Sequence, residues 1–135
     1  MKSILIGLLL TLLYQCAAVP RQLREYEQLV KGCWKYNESL EMHEASYDCR
    51  DKLYENGKTL IGQDTSYASK LYGTRRLTQS ARGIFSTEPN IVSRFTYDVR
   101  FLKTDGIVIT EMFNVYFTDK GAIAKVSGSA RYDNN

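Results

Sequence analysis

Residues 91–101 read IVSRFTYDVRF, and this stretch decides the fold class. Apolar side chains alternate there with polar ones, namely Ile91, Phe95, Tyr97, Val99 and Phe101 with Arg94, Thr96, Asp98 and Arg100. Because successive side chains of a strand point to opposite faces, this period of two predicts a strand with one face on a core.

Two further strands are predicted downstream. The turn Lys103-Thr104-Asp105-Gly106 precedes an alternating run at 107–118, and the turn Asp119-Lys120-Gly121 precedes another at 123–130. Short turns that contain glycine, between alternating runs, are typical of β-hairpins. The three runs therefore predict an antiparallel meander.

The residues upstream follow helical spacing instead. One apolar stripe predicts an amphipathic helix over 22–36, and it consists of Leu23, Tyr26, Val30, Cys33 and Trp34. After a break at 37–44, a second helix is predicted over 45–54, with the stop signal Asn56-Gly57 behind it. These two helices are expected to form a helical hairpin.

A short strand and a third helix are predicted next. Leu60 and Ile61 favour the strand, and Asp64 or Ser66 can cap a helix that reaches about residue 81. The positive charges along this helix predict a solvated face; they are Arg75, Arg76 and Arg82. Helices followed by a meander indicate an α+β fold, with N-terminal helices packed on a C-terminal antiparallel sheet.

The first 18 residues predict a secretory signal peptide. Lys2 precedes an apolar run at 4–13, and small residues follow at Cys16-Ala17-Ala18. Cleavage would leave residues 19–135 as a single secreted, extracellular domain. The 18 Lys and Arg are nearly balanced by 15 Asp and Glu and are interspersed with them, so neither nucleic acid nor a membrane is an expected partner.

Cys33 and Cys49 are predicted to form a disulfide, because an even pair in an oxidising compartment is normally bridged. One unbroken helix over 33–49 would hold their Cα atoms ~24 Å apart, whereas a bridge tolerates at most about 7 Å. The chain must therefore fold back between them. The alternatives are two unrelated thiols and a zinc site, for which His43 would be the only added histidine. No metal and no cofactor are expected.

The triplet Asn37-Glu38-Ser39 lies between these cysteines and is an acceptor sequon for N-glycosylation. An attached glycan would place Asn37 on the surface, near the fold-back.

The order of helical hairpin, short strand, third helix and long meander resembles the nuclear transport factor 2-like superfamily. The segments that carry the resemblance are Tyr54-Glu55-Asn56-Gly57 with Leu60-Ile61-Gly62, and Val115-Tyr116-Phe117-Thr118-Asp119-Lys120-Gly121-Ala122-Ile123. The resemblance implies a cone-shaped fold of the cystatin-like topology class, with a cavity between a curved sheet and the helices. Members use this cavity for isomerisation, cyclisation, dehydration or plain binding, so the fold does not choose a function.

Glu111 is the sharpest catalytic candidate. It is in phase with Ile109, Phe113 and Val115, which would place a carboxylate on an apolar strand face, where desolvation raises a pKa. The alternatives are a β-bulge that turns Glu111 outward and a pairing with Arg94 or Arg100. Other side chains are expected to line a pocket or to serve in the core: Tyr97, Phe113 and Tyr116. His43 is expected to be solvated in the break.

The pattern favours binding over catalysis, because no matched acid and base and no nucleophile motif occur. We expect a small apolar ligand or a protein partner, with a homodimer through the exposed sheet face. One alternative is an isomerase or cyclase that uses a pocket carboxylate. A second is a cystatin-like protease inhibitor, because Gln28-Leu29-Val30-Lys31-Gly32 matches the inhibitory wedge motif, although within a predicted helix.

Overall fold

The structure is a computed structural model, and it describes residues 19–80, 88 and 90–130. The predicted signal peptide, Arg82 and the predicted end of the third helix lie outside the described residues.

Within the described residues, three α-helices and one 3-10 helix precede the meander. They are α1 (Arg21–Cys33), α2 (Tyr47–Glu55), the 3-10 helix (Asn56–Leu60) and α3 (Thr65–Tyr72). The predicted stripe of α1 is buried at Leu23, Tyr26 and Val30. Asp64 caps α3, since its carboxylate accepts a hydrogen bond of 2.8 Å from the backbone nitrogen of Tyr67.

Six strands of the described part of the chain form one mixed sheet. They are β1 (Lys35–Asn37), β2 (Met42–Ser46), β3 (Leu77–Ser80), β4 (Ile91–Leu102), β5 (Val108–Thr118) and β6 (Ile123–Ala130). The strand order is β1-β2-β4-β5-β6, and β3 also pairs with β4. The meander β4-β5-β6 is antiparallel as predicted, whereas β2 runs parallel to β4. The α+β prediction is confirmed, and the sheet is larger and less uniform than expected.

Four local predictions need correction. The break after α1 is a β-hairpin, so α1 and α2 are joined through β1 and β2, and Ala45 pairs with Phe101 instead of starting α2. Leu60 closes the 3-10 helix and is not in a strand. The third helix ends at Tyr72, because Gly73 adopts φ +97°, outside helical backbone. Residues 77–80, predicted as helix, form the edge strand β3.

The strands β2 and β3 both pair with the same edge of β4, since β5 occupies the other edge. Residues 43–46 of β2 pair with 99–102, and residues 77–80 of β3 pair with 93–96. Tyr97 and Asp98 lie between these two pairings. We call this interruption the strand gap.

The core lies between the helices and one face of the sheet, which we call the inner face. Five side chains of β4 and β5 there have no exposed surface: Tyr97, Val99, Phe101, Phe113 and Val115. Trp34, Leu53 and Tyr72 pack against them from the helical side. The Cys33–Cys49 disulfide is present, with a Cα separation of 6.5 Å, and it ties the end of α1 to α2.

Candidate functional site

Glu111 lies on the inner face of the sheet, as the strand phase predicts. It pairs with Val99 in a regular stretch of β4–β5 register, and the register shifts of this sheet lie elsewhere, at 91–93 and 116–117. A bulge at Glu111 is therefore ruled out as the way its charge is accommodated.

Two residues of α2 hold the carboxylate. Arg50 donates to Glu111 Oε1 through Nε at 2.8 Å and Nη2 at 2.5 Å, and Tyr54 donates to Oε2 at 2.8 Å. The expected pairing with an arginine occurs, but with Arg50, because Arg94 donates to Gln79 and Arg100 to Glu44. The pKa of Arg50 is raised chiefly by its hydrogen bond to Glu111, and burial raises the pKa of Tyr54.

Glu111 also borders a shallow cleft of about 330 Å³, beside Ile109 and Ser129. Both of its oxygens already accept hydrogen bonds from the protein, so this carboxylate is arranged as the centre of a structural cluster. Its catalytic role stays a prediction, and it would require these bonds to be exchanged for bonds to a substrate.

The three predicted pocket residues are not brought together. Tyr97 and Phe113 meet on the inner face, each with its ring centre within 6 Å of that of Trp34. Tyr116 lies on the opposite, outer face and packs with Ile91 and Ala124. Tyr97 and Phe113 therefore belong to a filled aromatic core, and Tyr116 to a separate small cluster.

His43 is buried, and this corrects the expectation of a solvated histidine. It lies on β2, opposite Val99, and its ring centre is 4.8 Å from that of Trp34 and 5.3 Å from that of Tyr97. Burial lowers the pKa of His43 to about 4, opposed in part by a hydrogen bond to the backbone of Tyr72. The imidazole is therefore neutral at physiological pH.

The strand gap opens into a cleft of about 380 Å³, which we call the strand-gap cleft. His43 reaches it from the inner side of the sheet, and Thr96 and Asp98 reach it from the outer side. Tyr36 of β1 and the segments that lead into β2 and β3 supply the rest of its lining. The full set is Tyr36, Glu41, His43, Thr74, Arg75, Arg76, Leu77, Thr96 and Asp98.

Charges of both signs line this cleft. Arg75 and Arg76 are positive, Glu41 and Asp98 are negative, and in the described part of the chain none of the four belongs to an ion pair. The guanidinium of Arg75 lies 5.4 Å from the ring centre of Tyr36, within cation–π distance.

Arg76 is the half-buried one of the two arginines in the wall. Its guanidinium carbon lies 3.7 Å from the ring centre of Phe95, and Nη1 donates to the carbonyl of Gly73 at 3.2 Å. Among the described residues, its Nε is the one buried side-chain polar atom that lacks a hydrogen-bond partner. Burial raises the pKa of Tyr97 to about 12, and the neighbouring charge and hydrogen bond of Arg76 oppose that rise.

Backbone geometry singles out Glu41 in the same wall. Among the described residues that are not glycine, only Glu41 has a positive φ, at +52°. This left-handed conformation disfavours most side chains and is often found in tight turns and at functional sites. The β1–β2 turn therefore holds a carboxylate at the mouth of the cleft at some local cost.

Two other predicted features lie elsewhere. The Asn37 side chain is half-buried and bonded on both sides, since Nδ2 donates to Glu44 at 3.0 Å and Oδ1 accepts from the nitrogen of Leu40 at 3.1 Å. Its glycosylation stays a prediction. The wedge-like segment at 28–32 lies within α1, where Val30 is buried, and it forms no hairpin tip.

Comparison with known proteins gives no relative for this chain. No protein-family model matches it, and no curated protein or solved structure is significantly similar to it. None of the described helices is long and apolar enough to cross a membrane. In the same residues, no group of three His, Cys, Asp or Glu side chains could hold a metal ion.

Sequence reasoning missed the strand-gap cleft. Arg75 and Arg76 were expected on the solvated face of a helix, but they follow α3 and lead into β3. A signal was present in the Gly73 that precedes them, because a glycine there favours the end of the helix.

Proposed function

We propose that the protein is a secreted member of the nuclear transport factor 2-like superfamily that binds a small organic molecule in the strand-gap cleft and does not transform it. Helices that precede a long antiparallel meander support the family, although β1 and β2 separate α1 from α2 and residues 60–61 form no strand. The disulfide supports an oxidising compartment.

The observation that carries the proposed site is the set of unpaired charges around the cleft. Charged side chains near a surface are normally stabilised by a partner of opposite charge or by solvent. A partly buried charge has less solvent around it, so a partner stabilises it more. Here Asp98 and Arg76 are both half-buried and line the same cleft, and in the described residues neither is in an ion pair. A ligand in the cleft would supply the missing partners.

The packing of the interior argues for this cleft over an inner cavity. Side chains that would line such a cavity, Tyr97 and Phe113 among them, have no exposed surface. Binding there would require the aromatic core to open, which costs dispersion and burial energy. The strand-gap cleft requires no such rearrangement.

The proposed site is tested with a substitution that obstructs the cleft. Thr74 is exposed in its wall, and Thr74→Trp should fill the opening. Thr104→Trp is the matched control, because Thr104 is exposed in the distant β4–β5 turn. Melting temperatures are measured with a panel of small organic acids, amines and amino acids.

At least one compound should raise the melting temperature of wild type and of Thr104→Trp, but not of Thr74→Trp. Mass spectrometry of the released compound should show it unchanged. A chemically altered compound would favour the enzyme, and equal binding by both variants would move the site away from the strand gap.

A second proposal concerns the outer face of the sheet, on which a second copy of the chain would pack. Three exposed apolar side chains favour it, since Leu77, Leu102 and Val108 all point to that face. Sedimentation equilibrium should then give twice the monomer mass, and Val108→Lys should shift it to the monomer. A wild-type monomer at high concentration would contradict the dimer.

A further inference from the structure

We propose that the ligand of the strand-gap cleft is a zwitterion of the α-amino acid class, held by its carboxylate and its ammonium group together. This inference rests on the proposed binding function and names the class of molecule that the cleft selects.

The charge balance of the wall gives the first argument. Arg75 and Arg76 cancel Glu41 and Asp98, and His43 is neutral, so the cleft has both signs of charge and no net charge. A purely anionic ligand would bring no positive charge to the two carboxylates, and a purely cationic ligand would bring no negative charge to the two guanidinium groups. Only a ligand with both charges compensates the whole wall.

The chemistry of the side chains assigns the two ends. Guanidinium groups bind carboxylates through charge-assisted and often bidentate hydrogen bonds, which favours the Arg75 and Arg76 side for the ligand carboxylate. Carboxylates accept hydrogen bonds from ammonium groups, which favours Asp98 and Glu41 for the other end.

The size of the cleft and its apolar surface favour a compact ligand that has an apolar or aromatic side chain. A volume of about 380 Å³ lies near the lower end of the range for small-molecule sites. Tyr36 and His43 supply aromatic surface to the same cleft. An apolar or aromatic side chain can pack there while both charges are satisfied.

Three probes of matched shape separate the contributions. Phenylalanine has both charges, 3-phenylpropanoate has only the carboxylate, and 2-phenylethylamine has only the ammonium group. Isothermal titration calorimetry of the full secreted chain should give phenylalanine an affinity at least about tenfold higher than that of either analogue, the effect expected for one charge-assisted hydrogen bond.

Two variants report on the ammonium end. Asp98→Asn should reduce the affinity for phenylalanine about tenfold, while the affinity for 3-phenylpropanoate stays the same or rises. Glu41→Asn should act in the same direction, and asparagine tolerates the left-handed backbone at this position. Asp119→Asn, in the exposed β5–β6 turn, is the control and should leave both affinities unchanged.

The outcomes separate the two proposals. Equal affinity for phenylalanine and 3-phenylpropanoate, lost in Thr74→Trp, would overturn the zwitterion but leave binding in the cleft intact. If none of the three probes binds, the zwitterion proposal is overturned. The proposed binding function is then tested separately by the melting-temperature measurements with the wider compound panel. If Asp98→Asn and Glu41→Asn keep the wild-type preference for phenylalanine over 3-phenylpropanoate, the assignment of the ammonium end to these carboxylates is also overturned.

Discussion

The imidazole of His43 packs against the indole of Trp34, with the ring centres 4.8 Å apart. Trp34 directly follows Cys33 of the disulfide, and its Nε1 donates to the carbonyl of Tyr72 at 2.9 Å. The end of α1, the strand β2 and the end of α3 are therefore held together at one point. On its other side, His43 lines the strand-gap cleft.

The titration of His43 tests its packing against Trp34. His43 is the only histidine of the chain, so a histidine-labelled sample gives one imidazole signal. Because burial disfavours the charged ring, NMR should give a pKa of about 4, below the ordinary value of 6.5. A midpoint near 6.5 would show that the ring is solvated and that Trp34 does not cover it.

The same shift makes stability depend on pH. Since the folded pKa lies below the unfolded one, the contribution of neutral His43 is complete above pH 6.5 and is lost as the pH falls from 6.5 to about 4. The loss between pH 7 and 4.5 should be about 2 kcal/mol smaller in His43→Phe than in wild type. Urea unfolding at both pH values measures this, and an equal loss in the two proteins would contradict it.

Removal of the disulfide should destabilise the fold. Cys33 and Cys49 are 16 residues apart, and closure of such a loop contributes ~3 kcal/mol by the chain-entropy argument. The double variant Cys33→Ser, Cys49→Ser should therefore unfold at a lower denaturant concentration. If reduction leaves the stability of wild type unchanged although the double variant is less stable, the serines and not the missing bridge cause the effect.

Gly128 and Gly32 should respond in opposite ways to alanine. A Cβ at Gly128 would lie 2.4 Å from Tyr54 Oη, which is bonded to Glu111, so Gly128→Ala should cost about 1–3 kcal/mol. A Cβ at Gly32, in α1, meets nothing within 4 Å, and Gly32→Ala should stabilise by up to about 1 kcal/mol. Thermal unfolding of both variants decides, and a neutral Gly128→Ala would show that Tyr54 does not need this space.

Glu111 should prove to be a structural centre. Glu111→Leu removes the acceptor of both Arg50 and Tyr54, and should cost about 1–3 kcal/mol of unfolding free energy. Adding Arg50→Leu should recover part of this loss, because a partly buried guanidinium left with only the exposed Asp51 as an ionic partner is then also removed. If Glu111→Leu instead raises the unfolding free energy, the carboxylate destabilises the core and is not a structural centre.

Local sequence patterns were sufficient for the meander and the first helix. The alternation in β4 and β5 gave the phase of Glu111 correctly, since a strand's period is set by its own backbone. The apolar spacing in α1 likewise gave its buried face. The partner of Glu111 could not be read, because Arg50 lies 61 residues earlier on a helix.

The strand gap depends on contacts that no local pattern contains. The strands β1, β2 and β3 have only three to five residues each, too few for a clear alternation. The parallel pairing of His43 with Val99 brings together distant segments, so the burial of His43 follows from tertiary packing alone. Sequence reasoning therefore found the core and missed the place where two short strands leave an edge open.

NMR mapping of phenylalanine binding tests where the ligand site lies. Backbone amide signals of the labelled protein are followed while phenylalanine is added. The largest shifts are expected around the strand gap, at Glu41, His43, Arg75, Arg76 and Asp98. Shifts confined to Glu111, Phe113 and Tyr54 would contradict binding at the strand gap. So would the absence of any shift with phenylalanine, if a compound of the wider panel binds in the interior of the protein.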